Sequence, residues 1–234
     1  LTHGPKIGEL ENAFAQYIGS TYAIAVANGT AALHLCCLAL GVGPGTRVIT
    51  TPITFSASAN CVRYCGGEGY FADIDPETAL LDPKAVRELL EYGLWLLEDA
   101  CHAPGASFTA NDQTYRSGDS SLADLAIFSF HPVKHIAAGE GGMITTNDEE
   151  LYKHLLRLRT HGITNKPDEF TEPYSGEPER GGWYMELQEL GYNYRLTDIQ
   201  AALALSQLSR ADSMLVRRQE LAARYDAAFS EAAS

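Results

Sequence analysis

The chain has 234 residues, 45% of them hydrophobic, and a formal net charge of −13 at pH 7. That length buries a real core in one large domain or one and a half, and the apolar fraction argues against disorder. The acidic balance argues against a nucleic-acid or anionic-membrane partner. No apolar run reaches the length of a membrane span, and no basic-then-apolar leader precedes Leu1. Cys36, Cys37, Cys61, Cys65 and Cys101 are an odd number without zinc-ribbon spacing. They read as thiols in a reducing, cytoplasmic compartment, with Cys36 and Cys37 buried in a helical segment.

Apolar runs alternate with helical stretches along the chain. Residues 22–27 read as a buried strand, and Asn28, Gly29 and Thr30 then open a helix over 31–40. A second strand, 47–51, passes through Pro52 into a helical segment over 53–64. The third, 69–74, runs into Asp73 and Asp75, after which Asp82 and Pro83 cap a short helix over 84–90. Residues 94–97 form a fourth strand ending in Glu98 and Asp99, and two more follow at 122–130 and 142–146. This order predicts an α/β fold: a mainly parallel sheet with helices on both faces. Residues 165–182, rich in Pro, Gly and Glu, predict a long surface loop or flap. Residues 197–233 predict one long helix with Asp198, Gln200, Arg217 and Arg218 on polar positions. It lacks a C-cap, as a helix leading into a further domain would.

Ligands of open α/β sheets bind beyond the carboxyl ends of the strands, and the chemistry-bearing residues sit there. Lys134 follows the strand 122–130 in a glycine-rich turn containing Gly139, Gly141 and Gly142. It reads either as an exposed loop lysine or as a Schiff-base lysine for an aldehyde cofactor. Asn28, Gly29, Thr30 and Ala31 form either an ordinary N-cap or a phosphate cradle of free N–H groups. Asp99 ends an apolar strand and is either a structural acid or the partner of a protonated pyridine nitrogen. His102 is either a satisfied hydrogen-bonder or a catalyst, and Phe55 either core or a ring-stacking residue. Pyridoxal 5′-phosphate has an aldehyde, a pyridinium nitrogen and a phosphate, and one of these features answers each. Tyr22 and Tyr64 read as core or rim residues. Trp183 and Tyr184 are either a nucleotide-sugar contact or loop packing. Nothing indicates a metal site.

At this point the chain resembles the large domain of the DegT-type sugar aminotransferases, of the aspartate-aminotransferase (type I) fold. The matching runs are residues 1–5, 28–33, 51–55, 98–103, 129–134 with 139–142, and 191–198, in the family's order. The Thr51-to-Phe55 run, residues 71–75 and the 162–191 flap are most similar to the pseudaminic-acid branch. That branch aminates C4 of a UDP-linked 4-keto-6-deoxy-N-acetylhexosamine in surface-polysaccharide or flagellin-sugar biosynthesis. The resemblance implies that Lys134 forms the internal aldimine and then carries the 1,3-proton shift. It implies that Asp99 keeps the pyridine nitrogen protonated, that Phe55 stacks on the ring, and that His102 lies beside it near the phenolic oxygen. Gly29, Thr30, Ala31 and Ser129 would bind the phosphate. Asn193 and Arg195 would reach the neighbouring subunit's cofactor, making the active unit a homodimer. Glutamate would be the amino donor. Lysine at position 134 also separates the chain from relatives that carry histidine there and catalyse dehydration.

The chain departs from the family's pattern in two places. One β-α unit is expected to be missing near 90–92, which would leave a gap in the sheet or force a new strand pairing. The expected division is a cofactor-binding large domain over 1–206, then a long helix over 207–234 leading toward an absent small domain. Two readings follow: a pyridoxal-phosphate-dependent sugar-nucleotide aminotransferase, or a remnant that binds the cofactor or dimerises with a relative without turnover.

Overall fold

The computed structural model describes residues 4–90, 92–171 and 183–232. The first half contains α1 (Pro5–Ile18), β1 (Tyr22–Val26), α2 (Gly29–Ala39), β2 (Arg47–Thr50), α3 (Ala57–Tyr64), β3 (Glu68–Phe71) and α4 (Pro83–Leu90). Then come β4 (Leu97–Asp99), β5 (Ser107–Ala110), β6 (Gln113–Arg116), β7 (Leu125–Ser129), β8 (Gly142–Thr146) and α5 (Glu149–Arg159). The chain continues through β9 (Ile163–Thr164), β10 (Glu186–Leu187), α6 (Asp198–Leu208) and α7 (Ala211–Ala232). Among the described residues no helix is long and apolar enough to cross a membrane.

The central sheet has the order β1-β8-β7-β4. β8 is antiparallel to both β1 and β7, and β4 is parallel to β7, so β8 alone is reversed. Side chains alternate between two cores, as the pleat demands. Ala23 and Ala25 of β1, Phe128 of β7 and Met143 of β8 face α1 and α6. Ile24, Val26, Leu125, Ile127 and Ile144 face α2, α3 and α5. Coverage on both sides is why these strands read as unbroken apolar runs.

Each covering helix has an identifiable local cause. α1 buries Ile7, Leu10, Phe14 and Ile18 at helical spacing, begins with Pro5 in its first turn, and ends at left-handed Gly19. α5 begins at Asp148, whose carboxylate accepts from the Glu150 and Leu151 N–H groups. α6 opens with a capping box between Thr197 and Gln200. A buried ion pair joins three elements: Arg159 of α5 bonds Glu11 of α1 at 2.6 Å and the Ala25 carbonyl of β1 at 2.8 Å. Glu11 also accepts from the Ala25 N–H at 2.9 Å.

The structure corrects several sequence expectations. The helical run 197–233 is two helices, because Ser209 and Arg210 close the chain onto Leu205 and Gln207 while Ser209 Oγ donates to Ser206. The buried stripe Ala201, Ala204 and Leu208 ends at Ala211, beyond which α7 is mostly exposed. The second of these helices, α7, starts at Ala211. The segment 53–64 is helical only from Ala57, leaving Phe55 on a loop. The fourth strand begins at Leu97 and contains Glu98 and Asp99. Two helices, α1 and α5, and the β5–β6 hairpin were absent from the pattern reading. The hairpin turns on Asn111 and Asp112, both at positive φ. In 165–182, residues 167–169 form a 3-10 turn, and 172–182 lie outside the described residues, as do Leu1, Thr2 and His3. The β2–β3 pair stands apart as its own parallel sheet.

Candidate active site

The carboxyl ends of β1, β2, β4 and β7 open into one cleft of about 1000 Å³. Gly29, Thr30, Ala31, Phe55, Asp99, His102, Ser129 and Lys134 all line it. Residues more than a hundred positions apart are thus brought together by strand order alone.

At the end of β1 the chain turns into α2. Asn28 Oδ1 accepts from the Ala31 N–H at 2.8 Å, and the Asn28 carbonyl accepts from Ala32. Asn28 therefore acts as the N-cap of α2. Ala31's N–H is taken by the cap, and the N–H groups of Gly29 and Thr30 remain for an anion at the helix N-terminus. Gly29 is glycine for want of room. A Cβ there would stand 3.1 Å from Ser129 Cβ and 3.4 Å from Ser129 Oγ. The hydroxyl of Ser129 consequently lies directly against the turn.

Lys134 is held by its neighbours in sequence. Phe130 and Ile136 are fully buried, the Phe130 N–H donates to Gly141, and the Ala138 N–H returns to the Phe130 carbonyl. Gly141 sits at φ 154°, where a Cβ would approach Phe130 at 3.0 Å. This pinned turn carries the half-buried lysine to His102, with Nζ 2.6 Å from Nε2. A hydrogen bond at that distance needs one nitrogen to present a lone pair. The amine is thus a hydrogen-bonded group in a cleft and not a solvated loop lysine.

Asp99 accepts from Ser58 Oγ at 3.2 Å and from the Cys101 N–H at 3.1 Å. Among the described residues no cation pairs with it. Burial, followed by the Asp99 charge, pushes the Cys101 thiol well above its ordinary range, so Cys101 stays protonated. Phe55 lies at the mouth with 74% of its surface exposed. Thr54 Oγ1 sits 3.2 Å from Ser58 Oγ, tying the loop after β2 to the Asp99 end.

Asn193 and Arg195 do not line this cleft. Asn193 bridges to Thr160 and Arg195 to Val26, on the chain that passes outside β1. Trp183 is 72% exposed, and Tyr184 packs edge-on against Phe170. Tyr22 stacks on Tyr152, away from the site.

His34 on the cleft lining and Ser58, which donates to Asp99, escaped the sequence reading. His34 is buried, bonded through Nδ1 to the Tyr194 hydroxyl at 3.1 Å and ringed by Tyr64 and Tyr192. Burial lowers its pKa, which keeps the imidazole neutral. Its position on α2 looks like ordinary core, and only the fold aims it at the cleft. Tyr64, read as core or rim, lies on the rim. Ser58 carried one available signal: it stands four residues after Thr54 at the start of a helix, where a side-chain hydroxyl points toward a strand end.

Fold and cleft together are those of an aminotransferase-type α/β domain, with a lysine, a carboxylate and a helix N-terminus at converging strand ends. The chain belongs to the DegT/DnrJ/EryC1/StrS aminotransferase family, whose profile matches residues 1–91 and 89–234. It is 37% identical to the spore coat polysaccharide biosynthesis protein SpsC of Bacillus subtilis over 258 positions, covering 99% of this chain and 63% of that protein. It is 40% identical to the GDP-perosamine synthase of Caulobacter vibrioides, covering 95% and 62%. With UDP-4-amino-4,6-dideoxy-N-acetyl-beta-L-altrosamine transaminase of Campylobacter jejuni the identity is 34%, covering 99% and 64%. Among solved structures, the putative sugar aminotransferase Spr1654 of Streptococcus pneumoniae superposes with a TM-score of 0.82 at 28% identity. That match covers 98% of this chain and 65% of the other. Helicobacter pylori PseC, an aminotransferase of pseudaminic-acid biosynthesis, gives 0.79 at 29%, covering 98% and 64%. The chain thus spans less than two thirds of the length of these relatives. The cofactor of this family's site is pyridoxal phosphate; Spr1654 is solved in PLP and PMP forms.

Proposed function

We propose that the chain is the cofactor-binding part of a nucleotide-sugar aminotransferase using pyridoxal phosphate. The carrying observation is the Lys134–His102 contact at 2.6 Å in a cleft that also holds Asp99, Ser129 and the Gly29 turn. The donor set fits the cofactor group by group. The free N–H groups of Gly29 and Thr30, with Ser129 Oγ, would hold the phosphate. Asp99, which no cation pairs among the described residues, would hold the ring nitrogen, and Phe55 would stack on the ring. When bound, the cofactor supplies an electron sink for carbon–nitrogen chemistry. Lys134 Nζ would hold the aldehyde end of the cofactor and would then carry a proton at the donor carbon. His102, within hydrogen-bond reach, orients Nζ and exchanges protons with it. Neutral Cys101 adds no competing charge beside Asp99.

The substrate we propose is a UDP-linked 4-keto-6-deoxy-N-acetylhexosamine aminated at C4, with glutamate as amino donor. The matches to the Campylobacter transaminase and to PseC support this reading. Asn193 and Arg195, lying outside their own cleft, are proposed to reach the cofactor of a second subunit.

A non-catalytic remnant is favoured by one observation, the break of the family profile at residues 89–91. The two readings separate on spectra. The parent chain mixed with pyridoxal phosphate is expected to gain a visible absorption band that borohydride converts into a covalent adduct on Lys134, seen by peptide mass spectrometry. Lys134→Ala is expected to show only free cofactor. Glutamate should then bleach the band and release 2-oxoglutarate. A band that glutamate leaves unchanged establishes the remnant, and no band at all removes the cofactor site.

A further inference from the structure

Two strands that deliver residues to the same cleft leave their facing edges unpaired. β2 runs into Thr54 and Phe55, β4 ends at Asp99, and all three residues line the cleft, so both strands point the same way. Ser58, at the start of α3, donates to Asp99, and Val48 of β2 and Leu97 of β4 pack on one core beneath α2 and α3. β2 and β4 are therefore lateral neighbours under one helix layer. Yet they belong to separate sheets.

The open edges can be assigned residue by residue. The carbonyls of Thr46 and Thr50 accept from Glu68 and Ala72 at either end of β3. With the two-residue period of a strand, Arg47 and Ile49 turn their N–H and C=O groups away from β3. On β4, the Leu96 carbonyl accepts from Asp124 and Leu125, and the Ala100 N–H donates to Ile127. Leu97 and Asp99 thus present their backbone groups on the side away from β7. Among the described residues, the backbone groups of Ile49 and Leu97 find no partner on these outer sides.

The surrounding surface is apolar. Ile49 is 36% exposed, Phe71 63%, Leu94 51%, Trp95 59% and Leu96 47%, whereas β1, β7 and β8 are almost wholly buried. The family profile breaks at 89–91, where α4 ends ahead of β4, and nowhere else. The alignment with the Bacillus protein runs over 258 positions although this chain supplies 99% of its 234 residues. That relative therefore carries some two dozen residues that this chain lacks, enough for one strand and a crossover helix.

We propose that the space between β2 and β4 is a vacant strand site. It accepts, from a separate polypeptide, an extended apolar segment that runs parallel to both strands, of the kind relatives carry at the 89–91 junction. Such a segment would satisfy two rows of N–H and C=O groups at once and cover the exposed apolar surface. The proposal stands independently of the cofactor reading, because it concerns strand pairing and not the cleft.

The test uses the full chain and a synthetic peptide spanning the residues that the Bacillus subtilis protein carries opposite the junction, beside a scrambled version. Saturable binding of the native peptide alone, with new hydrogen-exchange protection at both Ile49 and Leu97, is the expected result. Ile49→Pro removes the outward N–H while sparing the bonds to β3, and should weaken binding by about tenfold. Leu97→Ala keeps every backbone group and should change it little. Equal binding of the scrambled peptide, or none of either, overturns the proposal. So does protection of both amides in the free chain, which would mean that β2 and β4 pair directly. Protection that grows with chain concentration alongside a doubled mass would assign the site to a second copy and likewise overturn it.

Discussion

Gly29 shows how one missing methyl group shapes the site. It is the first residue of α2, and a Cβ there would sit 3.1 Å from Ser129 Cβ, at the heart of the proposed phosphate cradle. Its φ is not in the left-handed region, so the requirement is for space and not for a backbone conformation. Gly29→Ala is expected to push Ser129 and the Gly29 N–H apart and to weaken pyridoxal-phosphate binding by about tenfold. The thermal midpoint should hold within a few degrees, because the Asn28 cap is untouched. Titration of the visible band against cofactor concentration, with a thermal melt alongside, checks both halves. At this scale the sequence was informative about residue types. Lysine, aspartate, serine and glycine at strand ends are legible without a structure, since each is costly or unusual there. Which N–H groups stay free was not legible, because Asn28 caps Ala31 and leaves Thr30 open, a division set by side-chain rotamer.

Among the elements, the strands flanking the site were found and three of the supports were not. α1 carries a clear helical period in Ile7, Leu10, Phe14 and Ile18, with Pro5 and Gly19 as its stops. What that period does not disclose is the helix's tertiary role. Glu11 reaches both Arg159 of α5 and the Ala25 N–H of β1, with side chains 15% and 7% exposed for the two charged partners. Removing one member of such a pair leaves a buried charge unmatched. Glu11→Ala is therefore expected to destabilise the fold by about 3 kcal/mol, lowering the thermal midpoint by about 10 °C. Glu11→Gln, which keeps the hydrogen bonds, should lose less. Chemical denaturation of the two variants against the parent decides it. The split between α6 and α7 has the same lesson. The apolar and polar pattern runs on through Ser209 and Arg210, but the face that docks on α1 ends at Ala211. Periodicity reports that a helix exists, and docking decides where it stops.

Taken as a whole, the molecule is uneven in burial. β1, β7 and β8 are covered on both faces, while β2, β3, β5 and β6 are largely exposed. Local opening free energies follow buried contact, so amide exchange should fall into two tiers. Amides of Ile24, Ile127 and Ile144 are expected to exchange only on global unfolding. Those of β2–β3 and β5–β6 should open at markedly lower cost, and native-state hydrogen exchange in low denaturant distinguishes the tiers. Uniform protection across both groups would contradict this.

By itself, the sequence determined the alternating α/β order, the residue types at the strand ends and the family resemblance, because these rest on local propensity and on short runs of neighbouring residues. Only the tertiary structure decided the rest. The reversal of β8, the meeting of Lys134 with His102 across 32 positions, the exclusion of Asn193 and Arg195 from their own cleft and the open edge beside Ile49 all depend on which strands become neighbours. Strand neighbours are selected by burial and backbone pairing between segments far apart in the chain, and no local pattern of apolar and polar residues encodes that choice.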